Sequence, residues 1–251
     1  MSKILSGLLL SGLIGLTAQA DVVRVEMGAG MWNQDPDGQI QYKDSPSFSA
    51  SDVGYSDEKA AYVWLNIKHP VPILPNIRLE YTPMEFSGTS TTGFEYDGVN
   101  FTSGAKSTLS MDQYDAILYY NILDNTGWTT IDLGLDVKYV DTSFQANQGV
   151  NSVGQSDGIA LPMAYGRLRF EVPATGLGFE GDMKYVPYKG SEVYDYRIKA
   201  DYTFDLTAID LGIEAGYRSQ RIDIHHDDFS SLDTSGDIDI SGFYAGAMIR
   251  F

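Results

Sequence analysis

The sequence predicts an all-β fold, a transmembrane antiparallel up-and-down β-barrel of about ten strands, and three observations carry the prediction. Aliphatic and aromatic residues alternate with glycine or charge in repeated segments, a pattern that period two sorts and a helical period of 3.6 does not. Beyond residue 20 no run approaches the roughly twenty apolar residues of a membrane helix, yet the 251 residues include 17 Tyr, 11 Phe and 26 Gly. With 0 Cys, an exported chain has no disulfides, so its sheet must be held by pairing and closure.

The elements follow in order. Residues 1–20 have the form of an export signal: Lys3 supplies the positive start, Ile4 to Leu16 the apolar stretch, and Ala18-Gln19-Ala20 a cleavage site before Asp21. The remaining 21–251 read as one barrel domain. Strands are expected near 22–33, 59–68, 77–86, 110–122, 129–141, 161–172, 177–187, 193–204, 207–218 and 239–251. The clearest sets Ile131, Leu133, Leu135, Val137 and Tyr139 against Asp132, Gly134, Asp136 and Lys138. Another sets Ile209, Leu211, Ile213, Ala215 and Tyr217 against Asp210, Gly212, Glu214, Gly216 and Arg218. Most are long enough to cross a bilayer when tilted, which takes about 9–11 residues. Short turns hold Pro70 to Pro75, Asp124 to Gly127, Ala174 to Gly176 and Asp205-Leu206. Long polar loops are expected at 34–58, 87–109, 142–160 and 219–238, and a short one at Lys189-Gly190-Ser191. Asp-Gly at 37–38 and 97–98 and Gly-Asp at 236–237 read as turn signals.

The final strand alternates to its last residue. Phe243, Ala245, Ala247, Ile249 and Phe251 fall on one face, and Tyr244, Gly246, Met248 and Arg250 on the other. This segment resembles the last strand of bacterial outer-membrane β-barrel proteins, which carries a terminal aromatic, an apolar residue two positions earlier and a glycine five positions earlier. Phe251, Ile249 and Gly246 stand at those positions. The resemblance implies an outer-membrane location, periplasmic termini, long extracellular loops and recognition of Gly246, Ile249 and Phe251 by the barrel-insertion machinery. A water-soluble barrel or sandwich would show the same alternation with its apolar face inward. Two further features favour the membrane version. Trp32, Tyr81, Tyr139, Tyr185, Tyr217 and Phe251 sit at strand ends, as in an interfacial girdle. Gly28, Gly30, Gly134, Gly178, Gly212, Gly216 and Gly246 lie on the charged face, where small residues relieve crowding.

The net charge of -17 is unevenly distributed. Eleven bases and twelve acids occupy the polar strand faces, leaving a near-neutral interior, while the loops and turns hold most of the acid excess. Confined charges are tolerable only when paired, so this balance predicts a salt-bridge network. Its members include Asp132, Asp136, Lys138, Arg167, Arg169, Glu180, Asp182, Lys184, Arg197, Asp210, Glu214 and Arg218. Arg167 and Arg169 are expected to find carboxylates among Asp132, Asp136 and Glu180. A wide ion channel would instead line its wall with one sign.

Such acidity disfavours nucleic acid, whose phosphates need clustered Lys and Arg. The acidic loops match no calcium-loop spacing, so solvated surface is the reading preferred to divalent-cation binding. An omptin-like surface protease would need an Asp-His pair facing an Asp pair across the barrel mouth. Asp223-Ile224-His225, Asp35-Pro36-Asp37 and Asp237-Ile238-Asp239 have only the bare forms. With 3 His and no Cys, zinc and thiol chemistry lack parts, and no cofactor or metal site is expected. The reading is a non-enzymatic outer-membrane barrel, monomeric, with a charge-paired and largely closed lumen. Its expected partners are lipid, lipopolysaccharide and, during insertion, the assembly machinery. Its role is structural or surface-interactive, with a narrow porin for small solutes as the alternative and the omptin-like protease as a third.

Overall fold

Ten long staves each pair antiparallel with the next along the chain, and the last pairs with the first. The computed structural model describes residues 23–251 apart from positions 72, 208 and 229–232. The export segment 1–20 lies outside the described residues. The strands are β1 (Arg24–Tyr42), β2 (Phe48–Ser49), β3 (Glu58–Lys68), β4 (Asn76–Thr82), β5 (Glu85–Thr89), β6 (Phe94–Tyr96), β7 (Val99–Phe101), β8 (Lys106–Thr126), β9 (Thr129–Gln148), β10 (Asn151–Glu171), β11 (Leu177–Tyr188), β12 (Ser191–Asp205), β13 (Asp210–Ile224) and β14 (Thr234–Arg250). Ten staves close the barrel, because β5 continues β4 along β8 and β1 pairs with β14. Pro83 lies at the break between β4 and β5, where its missing N–H interrupts the ladder. Closure reaches the final residue: the Phe251 N–H donates to the Val25 carbonyl at 2.9 Å.

The faces are sorted as the alternation predicts in the half that holds Arg24 and Phe251. On β9, Leu133, Leu135, Val137 and Tyr139 point outward, and Asp132, Asp136 and Lys138 are fully buried inside. Tyr81, Tyr114 and Tyr139 pair in register across β4, β8 and β9, the first two stacked at 4.9 Å. They form an outward aromatic row. Between Trp128 and Tyr139 the strand climbs roughly 28 Å, taking about 3.3 Å per residue and a tilt of about 40°. That matches the ~25 Å apolar band of a membrane barrel.

Above this row the polarity of the two faces inverts without a break in the strand. Val140, Phe144 and Ala146 are now buried inside, while Asp141, Gln145 and Asn147 face out. The same swap occurs on β8, where Leu109 and Met111 are buried, and on β13 and β14, where Ile222, Ile224, Ile238 and Ile240 are. These side chains join Phe48, Phe86, Phe94 and Tyr96 in a single apolar core that fills the far half of the barrel.

This inversion corrects the expected loops. Most of 142–160 is strand, with β9 and β10 joined through Gly149-Val150. Segment 34–58 opens with nine more residues of β1, 87–109 contains the β6–β7 hairpin, and 219–238 contains the ends of β13 and β14. Asp97-Gly98 is the hairpin turn, with φ of 50° and 70°, but Asp37-Gly38 and Gly236-Asp237 lie inside strands. Trp32 is likewise no girdle residue. It is 1% exposed in the lumen, where its indole N–H donates to the Gly242 carbonyl at 3.2 Å.

Candidate functional site

The lumen of the half that holds Arg24 and Phe251 is densely organised, and period two puts its charges there. Every second residue of each stave must point inward, and those residues carry the charge. Uppermost, Asp195 receives Arg218 through two bonds, Nε to Oδ1 at 2.9 Å and Nη2 to Oδ2 at 2.6 Å. Lys138 lies 3.2 Å from Asp195 and 2.7 Å from Asp115, and its ammonium donates to Gln113 at 3.0 Å. The Gln113 and Gln220 amides bond to each other at 2.7 and 3.0 Å from opposite staves.

Below this layer Glu80 gathers three cations. Arg197 donates to both of its oxygens, at 2.7 and 3.1 Å, Lys184 lies at 2.8 Å, and Arg78 pairs from two residues away. Arg197 also holds Asp182 at 2.7 Å. Lower still, Arg167 joins Asp132 and Glu180, each at 2.6 Å. Arg169 binds Asp201 at 2.6 and 2.9 Å and touches Glu180 at 3.3 Å. Lys199 joins Glu214 at 2.8 Å. Near the terminal rim Glu26 meets Arg24 and Arg250 at 2.7 and 2.9 Å, and Asp210 lies 3.8 Å from Arg250.

The structure thus brings eleven of the twelve nominated network residues into ion pairs. Asp136 is the exception: fully buried beside Asp115, it joins no ion pair among the described residues and meets neither arginine. Both arginines find Glu180, as expected, and Arg169 adds the unforeseen Asp201 of β12.

Aromatic residues that sequence reasoning did not nominate complete the fill. The Trp64 indole N–H and the Tyr62 hydroxyl both donate to Glu214 Oε1, at 3.2 and 2.8 Å. Arg78 lies over the Trp64 ring at 4.6 Å and Arg218 over Trp32 at 4.7 Å. The available signal was phase, since Tyr62, Trp64 and Lys68 share one face of β3. Gly28 gives Trp64 its room, because a Cβ there would lie 2.5 Å from the indole. Gly30 and Gly246 do the same for the Tyr62 hydroxyl. The charged lumen holds small cavities, two of them of about 20 and 50 Å³, with room for one to a few waters each.

The omptin-like motifs lie elsewhere. His225 Nε2 is 3.4 Å from Asp223, and Asp37 pairs with Asp239 and Asp237 with Asp223 on the contiguous strands β1, β14 and β13. The inward positions there are Ile222, Ile224, Ile238 and Ile240, so these acids share one outer wall instead of facing each other across a mouth. Two serines meet histidines: Ser191 Oγ accepts the His225 N–H at 3.0 Å, and Ser235 Oγ accepts the His226 N–H at 2.9 Å and lies 2.9 Å from its Nδ1. The Ser235 contact anchors the short 3₁₀ turn His226–Asp228. Among the described residues no group of three His, Asp or Glu is placed to hold a metal.

No protein-family model matches the chain, and no curated protein sequence matches it. Among solved structures, the outer membrane protease OmpT from Escherichia coli is similar, with a TM-score of 0.57 at 10% identity, covering 92% of this chain and 96% of that one. The translocator domain of the autotransporter NalP from Neisseria meningitidis gives 0.46 at 10% identity, covering 100% and 96%. Ail, the attachment invasion locus protein of Yersinia pestis, gives 0.38 at 9% identity, covering 92% and 99%. The likeness to OmpT is one of fold: this chain has the outer-membrane β-barrel fold.

Proposed function

We propose that this protein is a non-enzymatic integral outer-membrane barrel with a closed, charge-paired lumen, acting in a structural or surface-interaction role. The observation that carries the reading is the cross-lumen network, in which buried cations from one wall are neutralised by carboxylates of the other and the cavities between them are small. A conducting pore needs a continuous wet path and an unpaired wall. The inversion above the aromatic row supports the surface role. Strands with an apolar inside and a polar outside form a rigid wall that stands clear of the bilayer. On this reading the outward apolar band contacts lipid and lipopolysaccharide, the termini are periplasmic, and the protein works as a monomer. Gly246, Ile249 and Phe251 would engage the insertion machinery.

Conductance of the purified protein in a planar bilayer tests the closed lumen. No steady current is expected; a steady, ion-selective current would overturn the reading in favour of the narrow porin. Cleavage of peptides by the intact barrel, lost in a His225→Ala variant, would instead establish the protease alternative.

A further inference from the structure

The apolar core of the far half is not completely packed. A cavity of about 80 Å³ lies among Leu109, Met111, Val140, Ile159, Ile222 and Ile238. Two residues further along β8 and β13 from Met111 and Ile222, the Gln113–Gln220 amide pair spans the lumen above buried Lys138. One side of the cavity is different. Asp157 stands on the inward face of β10 directly opposite Thr142 of β9, with Gln155 and the Tyr96–Thr234 hydroxyl pair alongside. Among the described residues Asp157 forms no ion pair, in contrast to the lumen carboxylates below other than Asp136, and its side-chain hydrogen-bond partner is the neutral Gln155.

We propose that this cavity binds a small organic monoamine, its hydrocarbon body among the isoleucines and its ammonium on Asp157. Apolar walls offer water too few hydrogen bonds to hold it, whereas a branched alkyl group gains from burial there. A cavity of this size limits that body to a short branched or cyclic hydrocarbon. The polar end offers an anionic carboxylate together with hydroxyl and amide oxygens, which suits a donor-rich cation and repels a carboxylate ligand. Burial, with Asp233 nearby, raises the Asp157 pKa, and a bound cation relieves that cost. The loop acidity adds a long-range attraction for cations.

The test uses one carbon skeleton with three head groups: 3-methylbutylamine, 3-methylbutanol and 3-methylbutanoate. Each is titrated into the intact barrel in lipid nanodiscs, with the methyl NMR signals of Ile222, Ile238 and Met111 as reporters. The amine should shift these signals saturably, the alcohol should bind at least ten-fold more weakly, and the acid should leave them unmoved. Asp157→Asn should reduce the amine to the affinity of the alcohol, while Val140→Phe, which fills the cavity, should remove both. The proposal fails if none of the three gives saturable shifts, if the acid binds as well as the amine, or if Asp157→Asn retains the preference. These readouts are independent of whether the lumen conducts.

Discussion

Arg197 and Glu80 meet across the full width of the barrel. In the ring of ten staves β12 and β4 lie diametrically opposite, and the guanidinium of one takes both carboxylate oxygens of the other at 2.7 and 3.1 Å. A contact of this kind ties distant walls together and closes the space between them. It also concentrates risk, because Glu80 neutralises Lys184 and Arg78 as well.

Removing that carboxylate should therefore be severe. Glu80→Gln leaves buried cations short of their counter-charge, a class of change that costs about 3–5 kcal/mol. Denaturant titration of the refolded barrel should show a lower midpoint by that amount. Asp136→Asn, which breaks no ion pair and lets an amide donate to Asp115, should shift it far less. Equal losses from the two would contradict the assigned pairing.

The inversion at the aromatic row predicts opposite tolerances on a single face of a single strand. Leu135 and Gln145 both point outward on β9, but only Leu135 lies within the apolar band. Leu135→Arg should lower stability in lipid by about 2–4 kcal/mol, as expected for arginine near a bilayer midplane. Gln145→Arg should stay within about 0.5 kcal/mol of wild type, as at most exposed sites. Heat-modifiable gel migration and denaturation in liposomes report both.

Gly28 and Trp64 should behave as one unit. A Cβ at position 28 would lie 2.5 Å from the indole, so Gly28→Ala must displace the ring from Glu214 and from Arg78. A loss of about 1–3 kcal/mol, typical of overpacking, is expected, with a change in tryptophan emission. Adding Trp64→Leu should recover part of the loss, since the clash is with that ring. No recovery in the double variant would place the strain elsewhere.

The segment after β1 should loosen in acid. Asp52 accepts the Ser49 N–H at 2.9 Å and its hydroxyl at 2.7 Å, and Thr92 donates to its other oxygen at 3.2 Å. These donors lower its pKa, so the stabilisation is present above the unfolded carboxylate value and is lost as pH falls through the lower folded one. Amide exchange at Ser49 and Val53 should quicken over that acidic window in wild type. Asp52→Asn should exchange quickly at all pH values and lose the step.

Sequence alone determined the architecture, because a barrel stave leaves a period-two trace wherever one face meets lipid and the other a charged lumen. Ile131 to Tyr139 shows that trace, and it gave the strand, its faces and the near-balanced interior. The trace breaks at Tyr139 and Val140, where the two faces exchange character, so the continuation of β9 to Gln148 looked like a polar loop. A reader of alternation cannot tell the end of a strand from a change of surroundings. Only the tertiary structure shows that the surroundings changed: outside, apolar side chains give way to polar ones, and inside, charge gives way to an apolar core. The pairings lay beyond the sequence for a related reason. Which cation finds Glu80, and why Arg169 takes Asp201 and leaves Asp136, depends on the stagger between staves and on reach across the lumen. Closure of the whole ring sets those distances, and no local stretch of residues encodes them.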